Sequence, residues 1–471
     1  MAETRLPVER LREYLRDLRP EAKTLLIAEL ERGRRRGDNT PTTELILSEL
    51  RRSLPRVLRA SAPADEVERL FFVPVEPFVV EDSPDRKHLG RISRDCLHPI
   101  WQWVSEDLVA KEAKTFSEQV GAEISANEAK KAVQLAYPLQ DRALLKMQQA
   151  IAEAQSDDKM RQQLAFRIGT PQALNDIREV IGILKVRDAL NLLSSRLPES
   201  IKSFADDELN AVKALLDSPI ARHKDIFTYG LLLVMNRLSV PSHLIRLAIQ
   251  AANSDKAEKV AKTPFSVAVA VVLDESERLV WKLRTALKSK ETSALAVLIK
   301  DIHDTFRTLR TEMDMSGDTP WARQLSILRT EVSELLTAGL EKTPGLVRRL
   351  LKPRSAKDIV AQSVIDASDV TDADAAVELA GICRNYASEL AINEMSLRVY
   401  SDLQSFLDSG TTGLLEALKV AGAGERPFRV SQLEAAVQFC ARIFGEEYAA
   451  VLAKAVEAAA HGKNEPKSAE A

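Results

Sequence analysis

His303 and Asp304 are the neighbouring residues whose side chains come nearest to a catalytic pair, and Asp301 lies on the same helical turn. An imidazole and carboxylates can together hold a divalent cation, and a bound cation can activate water for hydrolysis. Ile302 and Phe306 fall at predicted buried positions, which leaves His303 at the edge of the buried face. A histidine that is simply solvated is the ordinary structural alternative at such an edge.

The doublet resembles the His-Asp pair of the HD phosphohydrolases, which are all-helical enzymes that bind divalent metal. The resemblance covers two residues and implies a metal-dependent hydrolase that uses His303 and Asp304. That family's pattern also contains a nearby upstream histidine, whereas His243 lies sixty residues before His303. We therefore keep the hydrolase as an alternative hypothesis, since a two-residue motif alone is a weak signal.

Two further groups of residues have types that bind ligands. Between residues 82 and 98 the chain has Asp82, Asp85, His88, Asp95, Cys96 and His98. Their spacing matches no zinc signature, and carboxylates beside one thiol form neither a hard nor a soft metal site. The segment 410–413, Gly-Thr-Thr-Gly, lacks the lysine of a phosphate loop, so we expect a capped turn in a glycine-rich loop. We predict neither a bound metal nor a cofactor.

A run of arginines is the most basic stretch of the chain, at Arg32, Arg34, Arg35 and Arg36. Gly37 follows it, and the first sixty residues carry an excess of four positive charges. Cations complement the negative end of a helix dipole, and glycine suits a helix C-cap, so a helix end accounts for the run. Contact with nucleic acid or an anionic surface through these arginines is the alternative, although no aromatic residues are interleaved.

Large apolar side chains outside any helical period concentrate between residues 70 and 104. The run Leu70–Val80 contains Pro74 and Pro77, which exclude a central strand, so we predict an extended irregular segment near 70–81. A helix predicted for Asp95–Ala110 adds Trp101 and Trp103. The strip either docks a partner protein through these tryptophans and Phe71, Phe72 and Phe78, or packs on the chain's own core.

Helical periodicity organises the rest of the chain, most clearly between Thr263 and Glu341. Apolar residues there recur at steps of three and four in three successive segments, which places one buried stripe on each helix. Each stripe lasts only two to three heptads, which favours a packed bundle over a free coiled coil. We predict an all-α, multi-helix bundle of antiparallel helical hairpins.

Hydroxyl residues before proline or before an acidic residue mark many predicted helix starts. Thr170-Pro171, Thr319-Pro320 and Thr343-Pro344 are such signals. The predicted regions are N-terminal helices over 1–60, the extended segment and tryptophan-bearing helix over 61–110, a main bundle over 111–460, and a disordered tail over 461–471. Whether the main bundle contains two subdomains stays open.

Composition narrows the function classes. A net charge of −3 gives no overall attraction to nucleic acid or anionic membranes, and three widely separated cysteines suit a reducing compartment. No uncharged run approaches the ~20 residues of a membrane span. Walker A, GxSxG and HExxH sequences do not occur. We expect a non-enzymatic cytoplasmic interaction protein: a scaffold, an adaptor or a regulatory partner. Its binding partner is an unidentified protein, and self-association is one option.

Overall fold

The structure is a computed structural model, and it describes part of the chain. The described residues are 63–81, 86–125, 129–169, 171–218, 224–289, 292–355, 359 and 365–461, together with isolated positions between 11 and 50. Among those isolated positions, Leu15, Leu47 and Leu50 form a small buried cluster. Of the tail predicted over 461–471, His461 ends the last helix, and residues 462–471 lie outside the described residues, as does the arginine run at 32–36.

Eighteen α-helices make up the described chain, which confirms the all-α prediction. The only strands within the described ranges, Val79–Val80 and Ile92–Ser93, pair in parallel over two residues each. The helices are α1 Pro63–Phe72, α2 Arg94–Gln102, α3 Ala110–Ser125, α4 Ala129–Ser156, α5 Asp158–Ile168, α6 Pro171–Lys185, α7 Arg187–Arg196, α8 Asp206–Leu216, α9 Lys224–Arg237, α10 Ile245–Ala252, α11 Ala257–Val260, α12 Ser266–Ser289, α13 Thr292–Glu312, α14 Pro320–Leu351, α15 Ala367–Tyr386, α16 Asn393–Lys419, α17 Arg426–Phe444 and α18 Glu446–His461.

The chain forms two compact units. Unit 1 comprises Met1–Arg278 and Thr308–Arg323, and unit 2 comprises Leu279–Arg307 and Gln324–Ala471. The region boundaries predicted near residues 60 and 110 stay a prediction.

In unit 1, the predicted extended segment begins later than expected. Residues 70–72 complete α1 because Leu70, Phe71 and Phe72 are buried against neighbouring helices, and a turn follows only where the prolines begin. A short 3-10 helix, Glu76–Phe78, then leads into the first strand. The helix predicted over 95–110 is α2 followed by a π-helical segment, Trp103–Leu108, and then the start of α3.

In unit 2, hydrogen bonds define antiparallel hairpins. The Thr343 hydroxyl on α14 donates to Ala376 O on α15 (3.4 Å), and Arg349 further along α14 pairs with Asp369 nearer the start of α15 (2.6 Å). The Arg426 guanidinium at the start of α17 likewise donates to Ala460 O at the end of α18 (2.6 Å). These pairs confirm the predicted antiparallel hairpins.

Two local predictions in unit 2 are wrong, and both errors came from local signals. The segment 410–419 is part of the continuous helix α16, where Thr411 Oγ1 donates to Leu407 O (2.7 Å), so no glycine-rich turn forms there. Thr343-Pro344 does not begin a helix, since Pro344 lies inside α14. Buried Leu340 and Val347 on either side keep that helix continuous through packing. Pro171 and Pro320 do begin their helices.

Candidate functional site

The predicted His303–Asp304 pair lies on α13 and is held by local contacts. His303 Nδ1 is 2.9 Å from Asp304 Oδ1, and Lys300 Nζ donates to Asp304 Oδ2 (2.7 Å). Burial by itself raises the pKa of Asp304, but the hydrogen bonds from Lys300 and His303 outweigh it and lower that pKa. The His303 ring lies 5.1 Å from the Tyr386 ring. The carboxylate is therefore already occupied by two cationic or donor groups from its own helix.

His303 and Asp304 together offer a metal ion two ligands, one imidazole and one carboxylate. Throughout the described part of the chain, no group of three or more His, Cys, Asp or Glu side chains is placed to hold a metal. The upstream His243 has partners of its own, because Arg246 Nη2 lies 3.3 Å from its Nε2 and Glu312 lies 3.9 Å away. Burial and the Arg246 charge lower the pKa of His243, although Glu312 opposes them.

The residues grouped in sequence between 82 and 98 point to different partners. His88 Nδ1 lies 3.2 Å from Asp274, His98 Nδ1 lies 2.8 Å from Glu68, and Asp82 and Asp85 are outside the described residues. Burial, and then the nearby Asp176 carboxylate, raise the pKa of the Cys96 thiol to about 12. A thiol that stays protonated is neither a nucleophile nor a metal ligand at neutral pH.

A basic segment in unit 1, residues 86–94, takes part in a polar network that sequence reasoning missed. Arg86 pairs with Glu277 (2.6 Å), Lys87 with Asp176 (2.5 Å), and Arg91 with Glu275 (3.7 Å). Asp176 is buried and also accepts a hydrogen bond from Ser93 N (2.8 Å). In the sequence, this network corresponds to the basic run at 86–94 and to the acidic residues 274, 275 and 277. Because these charges pair with one another, the network holds the segment in place.

The predicted docking strip is mostly interior. Phe71, Phe72, Phe78 and Trp103 are buried, and Trp101 is partly buried with its ring 5.2 Å from the Phe71 ring. Packing on the chain's own core accounts for the four buried side chains. Trp101 keeps part of its surface accessible, and partner docking through the strip stays a prediction.

Helix α18 carries an apolar surface that the sequence analysis did not single out. One stripe, Ala449, Leu452, Val456 and Ala459, is buried in unit 2. A second stripe, which we call the outer stripe, has the same three-four-three spacing and is exposed: Tyr448, Val451, Ala455 and Ala458. Val451 is 70% exposed and Tyr448 37%. The two stripes are offset by one residue throughout, so at ~100° per residue their centres are roughly 100° apart and they lie side by side on the helix.

Charged groups border the outer stripe. Glu447, Lys454 and His461 follow one another at intervals of seven along its edge and are all exposed. The Tyr448 ring packs against Phe444 with ring centroids 4.6 Å apart, which fixes the large end of the stripe. An apolar row with a charged rim is the composition of a helix face that contacts another protein. In the sequence, this surface corresponds to the alanine-rich run after residue 448. Its two stripes are interleaved, so in the sequence they look like one broad buried face.

The most exposed aromatic side chain in the described residues is Phe166 on α5, which is 90% exposed. Only Leu164 and Ile168 of α5 are buried, and Phe166 lies on the opposite side of the helix. Leu145 on α4 is 68% exposed and likewise faces away from that helix's buried residues. These are two separate side chains without a continuous row, so they form a weaker candidate surface than the outer stripe.

The fold defines an all-α helical protein, and none of its described helices is long and apolar enough to cross a lipid bilayer. Comparison with known proteins finds no match: no protein-family model, no curated protein and no solved structure is significantly similar to the chain.

Proposed function

We propose that this chain is a non-enzymatic interaction protein: a scaffold, an adaptor or a regulatory partner. It binds other proteins through the outer stripe of α18. The observation that carries the proposal is the exposed apolar row at 448, 451, 455 and 458, parallel to a buried row on the same helix. Exposed apolar rows with a charged rim are typical of protein contacts, because burial of such a row in an interface releases ordered water.

The chemistry of the described polar groups supports a binding role over catalysis. Burial raises the pKa of Cys383 and Cys440 to about 12, as it does for Cys96, so no cysteine thiolate is available. The Asp304 carboxylate and the basic segment are engaged in internal pairs. Three free, buried cysteines also support the cytoplasmic location that we include in the proposal.

Site-specific photo-crosslinking tests the proposal in the cells that produce the chain. A benzoylphenylalanine at position 451 lies on the outer stripe, and one at position 457 is exposed on the same helix but away from the stripe. We expect protein adducts from position 451 and far fewer from position 457. Equal yields at both positions, or none at either, would reject the outer stripe as a docking face for other proteins.

The second candidate is a metal-dependent hydrolase, and the 2.9 Å contact between His303 and Asp304 is the observation in its favour. Elemental analysis of the purified chain, dialysed against Mn²⁺, Fe²⁺, Zn²⁺ or Mg²⁺, separates the two functions. We expect less than about a tenth of an equivalent of any ion, because two ligands hold divalent metal weakly. One equivalent that is lost in Asp304→Asn would establish the hydrolase. The anion contact through Arg32, Arg34, Arg35 and Arg36 stays a prediction, and steep loss of binding with salt is its signature.

A further inference from the structure

We propose that the occupant of the outer stripe is α18 of a second copy of this chain, packed antiparallel about a twofold axis. This inference rests on the proposed function, since it names the partner of the same surface. A twofold pair uses one surface twice, so that surface must be complementary to itself.

The sizes of the side chains give that complementarity. The outer stripe is bulky in its first half, at Tyr448 and Val451, and small in its second half, at Ala455 and Ala458. In an antiparallel pair with the axis at residue 453, Tyr448 of one copy lies against Ala458 of the other, and Val451 lies against Ala455. Large side chains then meet small ones along the whole stripe, and the alanines allow the two helices to approach closely. A parallel pair would place bulky on bulky and small on small.

The polar side chains at the two ends of α18 favour the same direction. Glu446 and Glu447 begin the helix, and His461 ends it. Antiparallel packing places Glu447 of one copy beside the His461 end of the other. It also makes the two helix dipoles point in opposite directions. His461 Nδ1 lies 2.8 Å from Glu457 O, which leaves the other ring nitrogen on the exposed side for such a contact. Parallel packing would bring the glutamates of both copies together.

The size of the face determines how strong the pair is. A helix of 16 residues is about 24 Å long, and one face of it covers on the order of 300 Å² per copy. A stable dimer buries about 800 Å² per partner, so this contact belongs with weak, transient interfaces. The same four side chains are too few for a membrane surface, where a longer apolar row and an excess of cations are needed.

Sedimentation equilibrium of the purified full chain, from about 5 μM to about 500 μM, is the first test. We expect the weight-average mass to rise from 52.2 kDa towards twice that value. Val451→Lys places a charge in the centre of the stripe and should shift the midpoint at least about tenfold. Ala450→Lys adds the same charge to an exposed position of the same helix outside the stripe, so it should leave the midpoint within about twofold. Unchanged circular dichroism melts show that both variants fold.

Disulfide trapping tests the direction of packing. Tyr448→Cys and Ala458→Cys chains of different tagged length are mixed under mild oxidation, and the native thiols are buried. We expect the mixed 448–458 disulfide to dominate over the 448–448 and 458–458 products. Dominance of the like pairs would overturn the antiparallel arrangement.

A chain that stays monomeric up to about 500 μM would overturn the second copy as occupant. In that case, adducts from position 451 to other proteins would still support the proposed function. If position 451 gives no adducts with other proteins but the chain dimerises through Val451, the proposed docking of other proteins is rejected and self-association is supported. Failure of the proposed function and failure of the second copy as occupant are therefore distinguishable.

Discussion

The Asp304 carboxylate accepts hydrogen bonds from Lys300 and His303, and its pKa is lowered despite partial burial. Its folded-state pKa therefore lies below the unfolded value of about 3.9, so the stabilisation is present at neutral pH and is lost as the pH falls through the folded-state pKa. We predict that Asp304→Asn lowers the free energy of unfolding at pH 7 and has a shrinking effect below about pH 4. Urea unfolding at both pH values measures this. Asp402→Asn, an exposed carboxylate on α16, is the control. An effect of Asp304→Asn that is independent of pH would contradict the assigned contacts.

Substitutions of two glycines test elements whose local structure was not evident from sequence patterns. Gly90, in the basic segment of unit 1, has φ +64°, and a Cβ there would lie 2.6 Å from Leu232 Cδ1. We predict that Gly90→Ala lowers the free energy of unfolding by about 2 kcal/mol, through backbone strain and crowding. Gly413 lies inside α16, and a Cβ there meets nothing within 4 Å.

At that second position, Gly413→Ala should raise the free energy of unfolding by about 0.5–1 kcal/mol, because alanine favours a helix interior. Urea unfolding of the two variants gives both values. Destabilisation by Gly413→Ala would argue that residues 410–413 form a turn, as the glycine-rich sequence first indicated.

At the scale of the whole molecule, three buried thiols report on the integrity of both units. Cys96 belongs to unit 1, and Cys383 and Cys440 belong to unit 2. Burial raises each thiol pKa to about 12, so we predict that a thiol reagent at pH 8 labels none of them in the folded chain. All three should react in denaturant, as resolved by peptide mass spectrometry. Fast labelling of Cys96 alone in buffer would show that unit 1 opens readily.

The sequence by itself determined the all-α class, the antiparallel hairpins and the helix starts at Pro171 and Pro320, because apolar period and proline geometry act locally. It did not determine where α14 and α16 continue, since buried neighbours of Pro344 and Thr411 outweigh local turn signals. It also did not separate two interleaved apolar rows on α18, because a pattern of alanines and valines has the same period whether it is buried or exposed. Only tertiary packing decided that Phe71 and Phe72 are interior while Val451 is in solvent: burial depends on which faces other helices cover, and no local pattern records that.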